Sequence, residues 1–318
     1  MNILTTGLSG LVGSRIQEVL QNDCSFEDIH LNGRVEIQDS DAVKKRFEES
    51  SAKYVLHLAA KADPDECEKD REEIKKLSLS AQAGNEVIKE KNQLNISAIN
   101  SDDWKGSSSA FAVNVVGTKN ISESALATGK KLIYISTDYV FSGDTKNMYT
   151  EESVPDPVNY YGLTKYWGEQ IVQNIYPDAI IARIAVPYGS RSTKKLDIVA
   201  RMRQRFEKNE AISGIEDQLV TPTFIDDIAH SIKLLFEKNI SGIVNVVGSS
   251  SISPYEIALA IAGVFNYDKH LIKAVTMKDF YINRARRPQY TVLSNDKLKN
   301  LGYTPRTFDK GIEQLNAQ

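Results

Sequence analysis

The chain has 318 residues, of which 41% are hydrophobic and 25% are charged, and its formal net charge is −3. This length is enough to bury a full core, and the slightly acidic balance argues against nucleic-acid binding, which usually requires a basic excess. Two cysteines exclude a disulfide framework, and we find neither a leader pattern nor an apolar run of the ~20 residues that span a bilayer. We therefore expect a cytoplasmic protein that binds neither nucleic acid nor membranes.

Short apolar runs alternate with amphipathic stretches through the first two-thirds of the chain. This pattern predicts strands and helices in strict alternation. The strands are expected at 2–6, 29–31, 54–58, 132–136 and 180–183, and the helices at 11–21, 42–49, 110–128 and 160–175. Such alternation forms a parallel sheet with helices on both faces, and right-handed crossovers make it doubly wound. The sequence therefore predicts an α/β fold with a dinucleotide-binding Rossmann domain over residues 1–183.

The pattern becomes less regular after residue 183. Helices are expected at 195–208, 225–237, 254–265, 295–300 and 308–314, and one strand at 242–247. We expect a smaller C-terminal substrate-binding domain over residues 184–318, from which the stretch 224–248 returns to the Rossmann sheet.

Residues 71–109 form a long polar stretch with little apolar periodicity. A loop of this length inside a compact domain is uncommon. We expect a partly helical surface insertion without a chemical role, on which Trp104 could be exposed.

A glycine-rich turn follows the first predicted strand and opens the first predicted helix. Gly7 permits the tight turn, Gly10 lets the backbone approach a pyrophosphate, and Gly13 lets the helix pack closely on the strand. The free N–H groups and positive dipole end of the helix suit phosphate oxygens. Glycines alone are a weak signal, but this position between strand and helix favours dinucleotide binding. The predicted phosphate site comprises Gly7, Ser9, Gly10, Leu11, Val12 and Gly13.

The end of the second predicted strand selects the nicotinamide cofactor in a Rossmann fold, because an acidic residue there binds the ribose hydroxyls of NAD. The stretch from His30 to Arg34 has no carboxylate. Arg34 could instead pair with a 2′-phosphate. We therefore expect NADP, with NAD as the alternative, and either Asp39 or Asp41 could hydrogen-bond to the adenine.

A tyrosine and a lysine stand four residues apart on the helix predicted at 160–175. Tyr161 is the only tyrosine in the chain with a lysine, Lys165, four residues further on, and both side chains share one helix face. A free phenol has a pKa of about 10, and a nearby ammonium lowers that pKa. Tyr161 can then protonate a carbonyl oxygen while hydride arrives from a nicotinamide. The alternative interpretation is a surface pair.

A hydroxyl stands at the end of the fourth predicted strand. The sequence there is Ser136-Thr137-Asp138, and a hydroxyl at this point can donate a hydrogen bond to a substrate carbonyl and stabilise the charge that develops on it. Alternatively the hydroxyl closes the strand in a local turn, and both interpretations can hold together.

These features resemble the extended short-chain dehydrogenases/reductases, and within them the dTDP-4-dehydrorhamnose reductase group. The resemblance covers nearly the whole chain outside 71–109. Its motifs are the glycine turn, His57-Leu58-Ala59-Ala60, Asp65 with Glu68, Asn114-Val115-x-Gly117-Thr118, Ser136-Thr137-Asp138-Tyr139-Val140-Phe141, Tyr161-Gly162-x-Thr164-Lys165-x-x-Gly168-Glu169, Thr221-Pro222-Thr223 and Arg287-Pro288.

The resemblance implies an NAD(P)H-dependent reductase that acts on a keto group of a nucleotide-linked sugar. Thr137, Tyr161 and Lys165 would form its catalytic triad. Arg287 would face the substrate, for example its diphosphate, which arginine suits. The resemblance also assigns cofactor contacts to Ala59, Ala60, Lys61, Asn114, Ser136, Tyr161, Lys165 and Ile184, and substrate contacts to Asp65, Thr137, Val140, Phe141, Tyr161 and Arg287.

One departure from the group leaves the sugar open. Rhamnose-forming members carry a tryptophan after the fifth strand, where this chain has Arg183-Ile184-Ala185-Val186. A regulatory subunit of methionine adenosyltransferase belongs to the same group and also lacks that tryptophan. A cofactor-binding regulatory subunit is therefore one alternative function. A sugar-nucleotide epimerase or dehydratase is another, although Asp138-Tyr139 replaces the Asp-Glu of many dehydratases.

Two further expectations concern metals and assembly. The four histidines are scattered without the spacing of metal ligands, so we expect no metal site. The extended family often dimerises through the helices that hold Asn114 and Tyr161, so we expect a homodimer.

Overall fold

The computed structural model describes residues 1–30, 33–80, 87, 93–190, 195–238 and 240–317, with the backbone alone for 73–80. The strands are β1 (Asn2–Thr6), β2 (Ser25–Asp28), β3 (Tyr54–His57), β4 (Lys131–Thr137), β5 (Ile180–Ile184), β6 (Pro187–Tyr188), β7 (Ile212–Ile215), β8 (Leu219–Val220), β9 (Thr223–Phe224), β10 (Gly242–Asn245), β11 (Ile272–Val275) and β12 (Tyr290–Thr291). The helices are α1 (Leu11–Leu20), α2 (Ser40–Glu49), α3 (Pro64–Ser80), α4 (Gly117–Ala127), α5 (Tyr160–Ile175), α6 (Ile198–Glu207), α7 (Ile225–Glu237), α8 (Pro254–Phe265), α9 (Met277–Phe280), α10 (Asp296–Asn300) and α11 (Phe308–Asn316).

The centre of the molecule is a sheet of six parallel strands in the order β10-β5-β4-β3-β1-β2. Helices α1 and α7 bury their apolar residues on one face of this sheet. Helices α2 and α4 cover the other face. The predicted doubly wound α/β fold is therefore confirmed. The strand order changes direction between β1 and β3, and the carboxyl ends of strands at such a point form a crevice where ligands bind.

Three helices, α5, α7 and α8, have the predicted bounds. The start of α8 shows why local signals suffice there. The hydroxyl of Ser253 accepts the N–H of Glu256, and the Glu256 carboxylate accepts the N–H of Ser253. This reciprocal pair satisfies two amides that the helix leaves without internal partners.

The second strand is Ser25–Asp28, so the prediction of a strand at 29–31 is wrong; Leu31 itself lies outside the described residues. β2 lies at the sheet edge and pairs with β1 alone. The carboxylate of its polar Glu27 accepts hydrogen bonds from Arg46 of α2, at 3.2 Å, and from Ser50, directly after α2, at 2.7 Å. The strand is therefore defined by backbone pairing and side-chain hydrogen bonds, which an apolar pattern does not detect.

The helix predicted at 110–128 contains a π-helical turn at Ala112–Val116 before α4 begins. Single π-turns inside helices are rare and are frequent at functional sites. This turn carries Asn114, one of the predicted cofactor residues.

The predicted surface insertion contributes to the core, so that expectation is wrong in part. α3 extends into it, and Leu94, Ile99 and Trp104 pack against Phe111 and Trp167. Trp104 is 8% exposed and its ring centroid lies 4.7 Å from that of Phe111, so it is not a surface residue. The apolar residues of this stretch are too widely spaced to show periodicity. Residues 81–86 and 88–92 lie outside the described part.

The C-terminal part has its own hydrophobic cluster, formed mainly by α6, α8 and α11. Three pairs of short parallel strands, β6–β9, β7–β11 and β8–β12, were not predicted, because runs of two to four residues are too short for a periodic signal. β10 joins the main sheet beside β5. Arg15 of α1 and Asp226 of α7 form a bidentate ion pair at 2.6 and 2.8 Å. In the described part of the chain, no helix is long and apolar enough to cross a membrane.

Candidate active site

The glycine-rich turn packs against the end of β3 so closely that side chains do not fit. A Cβ atom on Gly7 would lie 2.7 Å from the backbone nitrogen of Ala59, and Gly7 has φ +74°. A Cβ on Gly13 would lie 2.7 Å from the carbonyl oxygen of Leu8. Within the described residues no side chain caps α1. The first N–H groups of α1 are thus not bonded to a side-chain cap. A phosphate site needs such uncapped N–H groups, because they bind the phosphate oxygens.

The segment Ala59–Lys61 forms the opposite side of this turn, and we call the two together the cradle. Thr6 accepts the N–H of Ala59 on its hydroxyl at 3.2 Å. Asn114 accepts the N–H of Lys61 at 2.8 Å and donates to the carbonyl of Lys61 at 3.0 Å and to the hydroxyl of Thr164 at 3.0 Å. Asn114 is completely buried. Its side chain therefore fixes the cradle from behind rather than reaching into it.

His57, at the end of β3, is a structural residue. Its two ring nitrogens lie 2.6 Å from the hydroxyl of Thr6 and 3.1 Å from that of Thr118. Burial and, to a smaller extent, the nearby Lys165 lower its pKa to about 3. The imidazole is therefore neutral at physiological pH and links β1, β3 and α4.

The structure brings Thr137 and Tyr161 together. Thr137 ends β4, and Tyr161 lies in the first turn of α5. Asn159 caps that helix by accepting the N–H of Gly162 at 2.8 Å. The Thr137 hydroxyl lies close enough to the Tyr161 phenol to lower the pKa of that phenol. Thr137 also accepts the N–H of Tyr139 at 3.3 Å, so the hydroxyl makes the local turn and the site contact together.

The predicted effect of Lys165 on Tyr161 is not what the structure shows. Burial raises the pKa of the Tyr161 phenol, and only the hydrogen bond from Thr137 opposes it. The Lys165 ammonium donates to the carbonyl of Ile135 at 2.7 Å and lies 4.0 Å above the ring of Tyr134. The prediction that Lys165 lowers the phenol pKa is therefore wrong for this arrangement. A phenol with a raised pKa stays protonated at neutral pH, so Tyr161 holds the proton that a reduction needs, but proton transfer is most efficient when the pKa of the donor lies nearer the working pH.

Lys165 is itself perturbed by its position. Burial lowers its pKa to about 7, and the nearby Glu169 partly opposes this change. Glu169 forms a bidentate pair with Arg183, at 2.9 and 2.7 Å, and both side chains are 1% exposed. Ser136 donates to the same carboxylate at 2.6 Å. The predicted cofactor residue Ser136 thus has its side chain engaged beneath the site, away from the cradle.

Val140 and Phe141 do not fit their predicted contacts with substrate. Both side chains are completely buried, and the Phe141 ring stacks on Tyr149 with centroids 4.2 Å apart. A side chain without exposed surface cannot touch a ligand, so the predicted side-chain contacts are corrected here. Ile184, at the end of β5, is partly exposed.

Asp65 and Arg287, two predicted substrate residues, contact each other. A carboxylate oxygen of Asp65 accepts the Nη1–H of Arg287 at 2.9 Å and the N–H of Ala285 at 2.8 Å. Beside them is a cavity of 360 Å³. It is lined by Ser142, Asp144, Asp217, Met277, Lys278, Tyr281, Arg284, Ala285, Arg286, Arg287 and Gln289. Four cationic and two acidic side chains make this lining suitable for an anionic ligand.

The residues predicted to select the cofactor contact other groups of the chain. Arg34 is 84% exposed and its Nε lies 2.5 Å from a Glu36 oxygen. Asp39 caps α2 by accepting the N–H groups of Asp41 and Ala42, each at 3.2 Å. Their roles toward a 2′-phosphate or an adenine stay predictions.

The comparison with protein families shows to which family the chain belongs. The family described as RmlD substrate binding domain matches residues 1–101 and 103–318. The chain belongs to this family. The resemblance found in the sequence is thus confirmed.

Two curated relatives illustrate the range of the RmlD family. Methionine adenosyltransferase 2 subunit beta from Mus musculus is 29% identical over 326 residues, which cover 98% of this chain and 86% of the relative. The dTDP-4-keto-6-deoxy-D-glucose reductase from Streptomyces niveus is 30% identical over 201 residues, which cover 63% of this chain and 68% of the relative.

Solved structures agree with the fold of this RmlD-family chain. The dTDP-4-dehydrorhamnose reductase from Bacillus anthracis, in complex with NADP, is 26% identical and superimposes with a TM-score of 0.80 over 99% of this chain and 98% of that one. The UDP-glucose 4-epimerase from Thermus thermophilus, at 21% identity and a TM-score of 0.75, covers 100% of this chain and 98% of that one. The latter likeness concerns the fold alone.

The sequence motifs include several residues that were given no role and that support the site of this RmlD-family member. Glu169 and Arg183 form the buried pair below Lys165, and Glu68 accepts the N–H of Tyr160 at 2.9 Å and so fixes the start of α5. Glu169 stands four residues after Lys165, so helical spacing was the available signal. Among the described residues, no three His, Cys, Asp or Glu side chains are grouped to hold a metal ion.

Proposed function

We propose that this protein is an NADPH-dependent reductase that reduces a keto group of a nucleotide-linked sugar. The observation that carries the proposal is the pairing of Thr137, at the end of β4, with the partly buried phenol of Tyr161, in the first turn of α5. The Bacillus anthracis reductase of similar fold was solved with NADP, and the Streptomyces niveus relative is a reductase of a keto-deoxy sugar nucleotide.

The cradle fits a dinucleotide. Gly7 and Gly13 leave no room for side chains, and α1 begins without a side-chain cap among the described residues. The first amides of α1, together with the helix dipole, would hold the pyrophosphate. The Lys165 ammonium lies under the site, where it would approach the cofactor ribose. Bound nicotinamide supplies the hydride.

The chain's own residues then handle the proton. Tyr161 holds a phenolic proton, because burial keeps its pKa high, and would donate it to the carbonyl oxygen as that oxygen gains charge. Thr137 orients the phenol and would donate to the same oxygen. A positioned acid of this kind contributes about 10²- to 10⁴-fold to the rate.

Burial argues against the epimerase or dehydratase alternative. Such an enzyme needs a further acid or base that reaches the sugar. Asp138 follows Thr137, but it is 3% exposed and its carboxylate accepts the Thr137 hydroxyl at 3.0 Å. Burial also raises its pKa to about 6. This carboxyl therefore faces the protein and not the cavity.

A regulatory subunit with little turnover is the second candidate. The observation in its favour is the alignment with the mouse methionine adenosyltransferase subunit, which spans 98% of this chain, against 63% for the Streptomyces niveus reductase. In that case the cradle would bind a cofactor for stability alone.

NADPH oxidation separates the two candidates. Incubation with NADPH and dTDP-4-dehydrorhamnose is expected to consume NADPH, which absorbance follows. The absence of oxidation with a panel of keto sugar nucleotides, together with stable co-purification of a second protein, would favour the regulatory subunit. A thermal-shift series with NADH and NADPH tests the cofactor, because a ligand that binds only the folded state raises the melting temperature.

The cytoplasmic location and the homodimer belong to the same proposal. The expected dimer interface lies on the helices that hold Asn114 and Tyr161. Outer apolar residues of these helices, Phe111 and Trp167, already pack against Trp104 of the same chain. A dimer would therefore use another part of these helices, and light scattering of the purified protein tests the mass.

A further inference from the structure

Asp65 connects two parts of the site that are more than 200 residues apart in the sequence. We infer that Asp65 is a positioning residue that fixes Arg287, and with it the cavity wall formed by residues 277–289, relative to the cradle. The inference rests on the proposed function, because it assigns the cavity to the nucleotide part of the substrate and the cradle to the cofactor.

Asp65 is firmly attached to the cradle. The backbone of Lys61 is held on both sides by Asn114, through its N–H and its carbonyl. Asp63 then caps the start of α3, where its carboxylate accepts the N–H groups of Asp65 at 2.9 Å and Glu66 at 3.0 Å. The backbone of Asp65 is therefore held four residues from Lys61, in a segment that hydrogen bonds fix at both ends.

The other end of the connection is the cavity wall. One oxygen of Asp65 accepts both the N–H of Ala285 and the Nη1–H of Arg287. The Arg287 side chain is 7% exposed, and its guanidinium carbon lies 5.1 Å from the centre of the Tyr281 ring. The Arg287 guanidinium is the main cause that lowers the pKa of the Asp65 carboxyl. The carboxylate thus holds one nearly buried cation and one backbone amide.

The charge of the cavity lining indicates which kind of ligand would bind there. Lys278, Arg284, Arg286 and Arg287 line the cavity together with the carboxylates of Asp144 and Asp217, and a third carboxylate, that of Asp65, pairs with Arg287. The excess is cationic and suits a diphosphate, for which arginine geometry is favourable.

A contact that joins two binding sites couples their ligand affinities when ligand binding orders the groups that form the contact. A ligand that orders the cradle also orders Asp65, and hence Arg287, so that the second ligand spends less free energy on ordering the same groups. Coupling between sites is typically about 5- to 150-fold in affinity and is reciprocal. NADPH in the cradle is thus expected to tighten the binding of a nucleoside diphosphate in the cavity.

Calorimetry with thymidine diphosphate as the probe, with and without saturating NADPH, tests the coupling. We expect NADPH to tighten diphosphate binding by at least about fivefold in the wild type and to have no effect in Asp65→Ala. Asp65→Asn, which keeps an acceptor for the Ala285 amide, should recover part of the effect. Glu66→Gln is the matched control, because Glu66 pairs only with Lys69 on the surface, and it should behave as the wild type.

Two calorimetric results would overturn the inference: an undiminished effect of NADPH in Asp65→Ala, or no effect in the wild type although both compounds bind. Hydrogen exchange tests the contact without any ligand. The Ala285 amide should exchange slowly in the wild type and in Glu66→Gln and faster in Asp65→Ala, while core amides of β4 stay unchanged. Equal exchange at Ala285 in all variants would also overturn it. If the wild type binds neither compound, the proposed function fails, and the exchange result alone decides the role of Asp65.

Discussion

The floor of the site, formed by the carboxyl ends of β1, β3, β4 and β5 and by α5, and the cavity wall use ion pairs of different kinds. On the floor, Glu169 and Arg183 are both 1% exposed and bind through two hydrogen bonds. At the wall, Arg287 is 7% exposed but its partner Asp65 is 35% exposed. Breaking a buried pair leaves an uncompensated charge, whereas a pair open to solvent contributes little stability by itself. The pair on the floor therefore contributes to stability, whereas the pair at the wall contributes little stability and acts on the position of Arg287.

The largest effect should follow a change on the floor that leaves the wall intact. Tyr161→Phe removes the phenolic proton but keeps the ring and its packing. We expect kcat to fall by about 10²- to 10⁴-fold, with NADPH binding preserved in a thermal-shift assay. The measurement is the rate of NADPH oxidation at saturating substrate.

A matched variant controls for the loss of any tyrosine near the site. Tyr281→Phe, on the cavity wall, keeps the ring above which Arg287 lies, and it should change KM more than kcat. Full activity of Tyr161→Phe would contradict the assigned role of the phenol, and with it the division between floor and wall.

The second prediction concerns the stability of the floor. Glu169→Gln leaves the buried Arg183 without a counter-charge, and we expect the free energy of unfolding to fall by about 3 kcal/mol. Urea denaturation followed by circular dichroism measures it. Glu123→Gln breaks the surface pair with Lys119, in which the glutamate is 47% exposed, and should cost less than about 0.5 kcal/mol. Equal losses in both variants would contradict the comparison.

The floor was predictable from the sequence because its residues lie in local patterns. The glycine turn and the Tyr161–Lys165 spacing each fall within one strand–turn–helix or one helix, where periodicity gives a direct signal. The pKa of Tyr161 was not predictable. Its direction depends on burial by surrounding elements, which Thr137 opposes and the Lys165 ammonium does not.

The wall was much less predictable, because its contacts join distant segments. Asp65 and Arg287 were both assigned to the substrate, and only the fold shows that they bind each other. The short strands β8 and β12, which lead into the wall, have two residues each and leave no periodic signal. Trp104 lies in a polar stretch whose apolar residues reach the core individually.

The third prediction, with a smaller effect, tests how closely the glycine turn packs against Ala59 in the cradle. Gly7→Ala and Gly129→Ala both place a side chain at positive φ, +74° and +63°, which costs about 1–2 kcal/mol each. The Cβ at residue 129 meets nothing within 4 Å, whereas that at residue 7 would lie 2.7 Å from the Ala59 nitrogen. We expect Gly7→Ala to be the less stable of the two in urea denaturation. It should also lose NADPH affinity, as titration would measure, and Gly129→Ala should keep it.

The difference between these two variants isolates the contact from the backbone strain that both share. If Gly7→Ala bound NADPH as tightly as Gly129→Ala, the turn would not be the pyrophosphate site. The cofactor would then have to bind elsewhere on the sheet edge.

The last prediction concerns the slope of stability against pH. Burial lowers the pKa of Lys165 to about 7 from an ordinary 10.5. Between these two values the unfolded chain keeps a proton that the folded protein has released, so stability rises with pH in this window, by at most about 1.4 kcal/mol per pH unit. Lys165→Met cannot titrate. The stability of the wild type minus that of Lys165→Met, from urea denaturation at several pH values, should therefore increase as pH rises above about 7. A constant difference would mean that the Lys165 ammonium is better solvated than its contacts with Ile135 and Tyr134 imply, and the floor would then be less rigid than its buried pairs indicate.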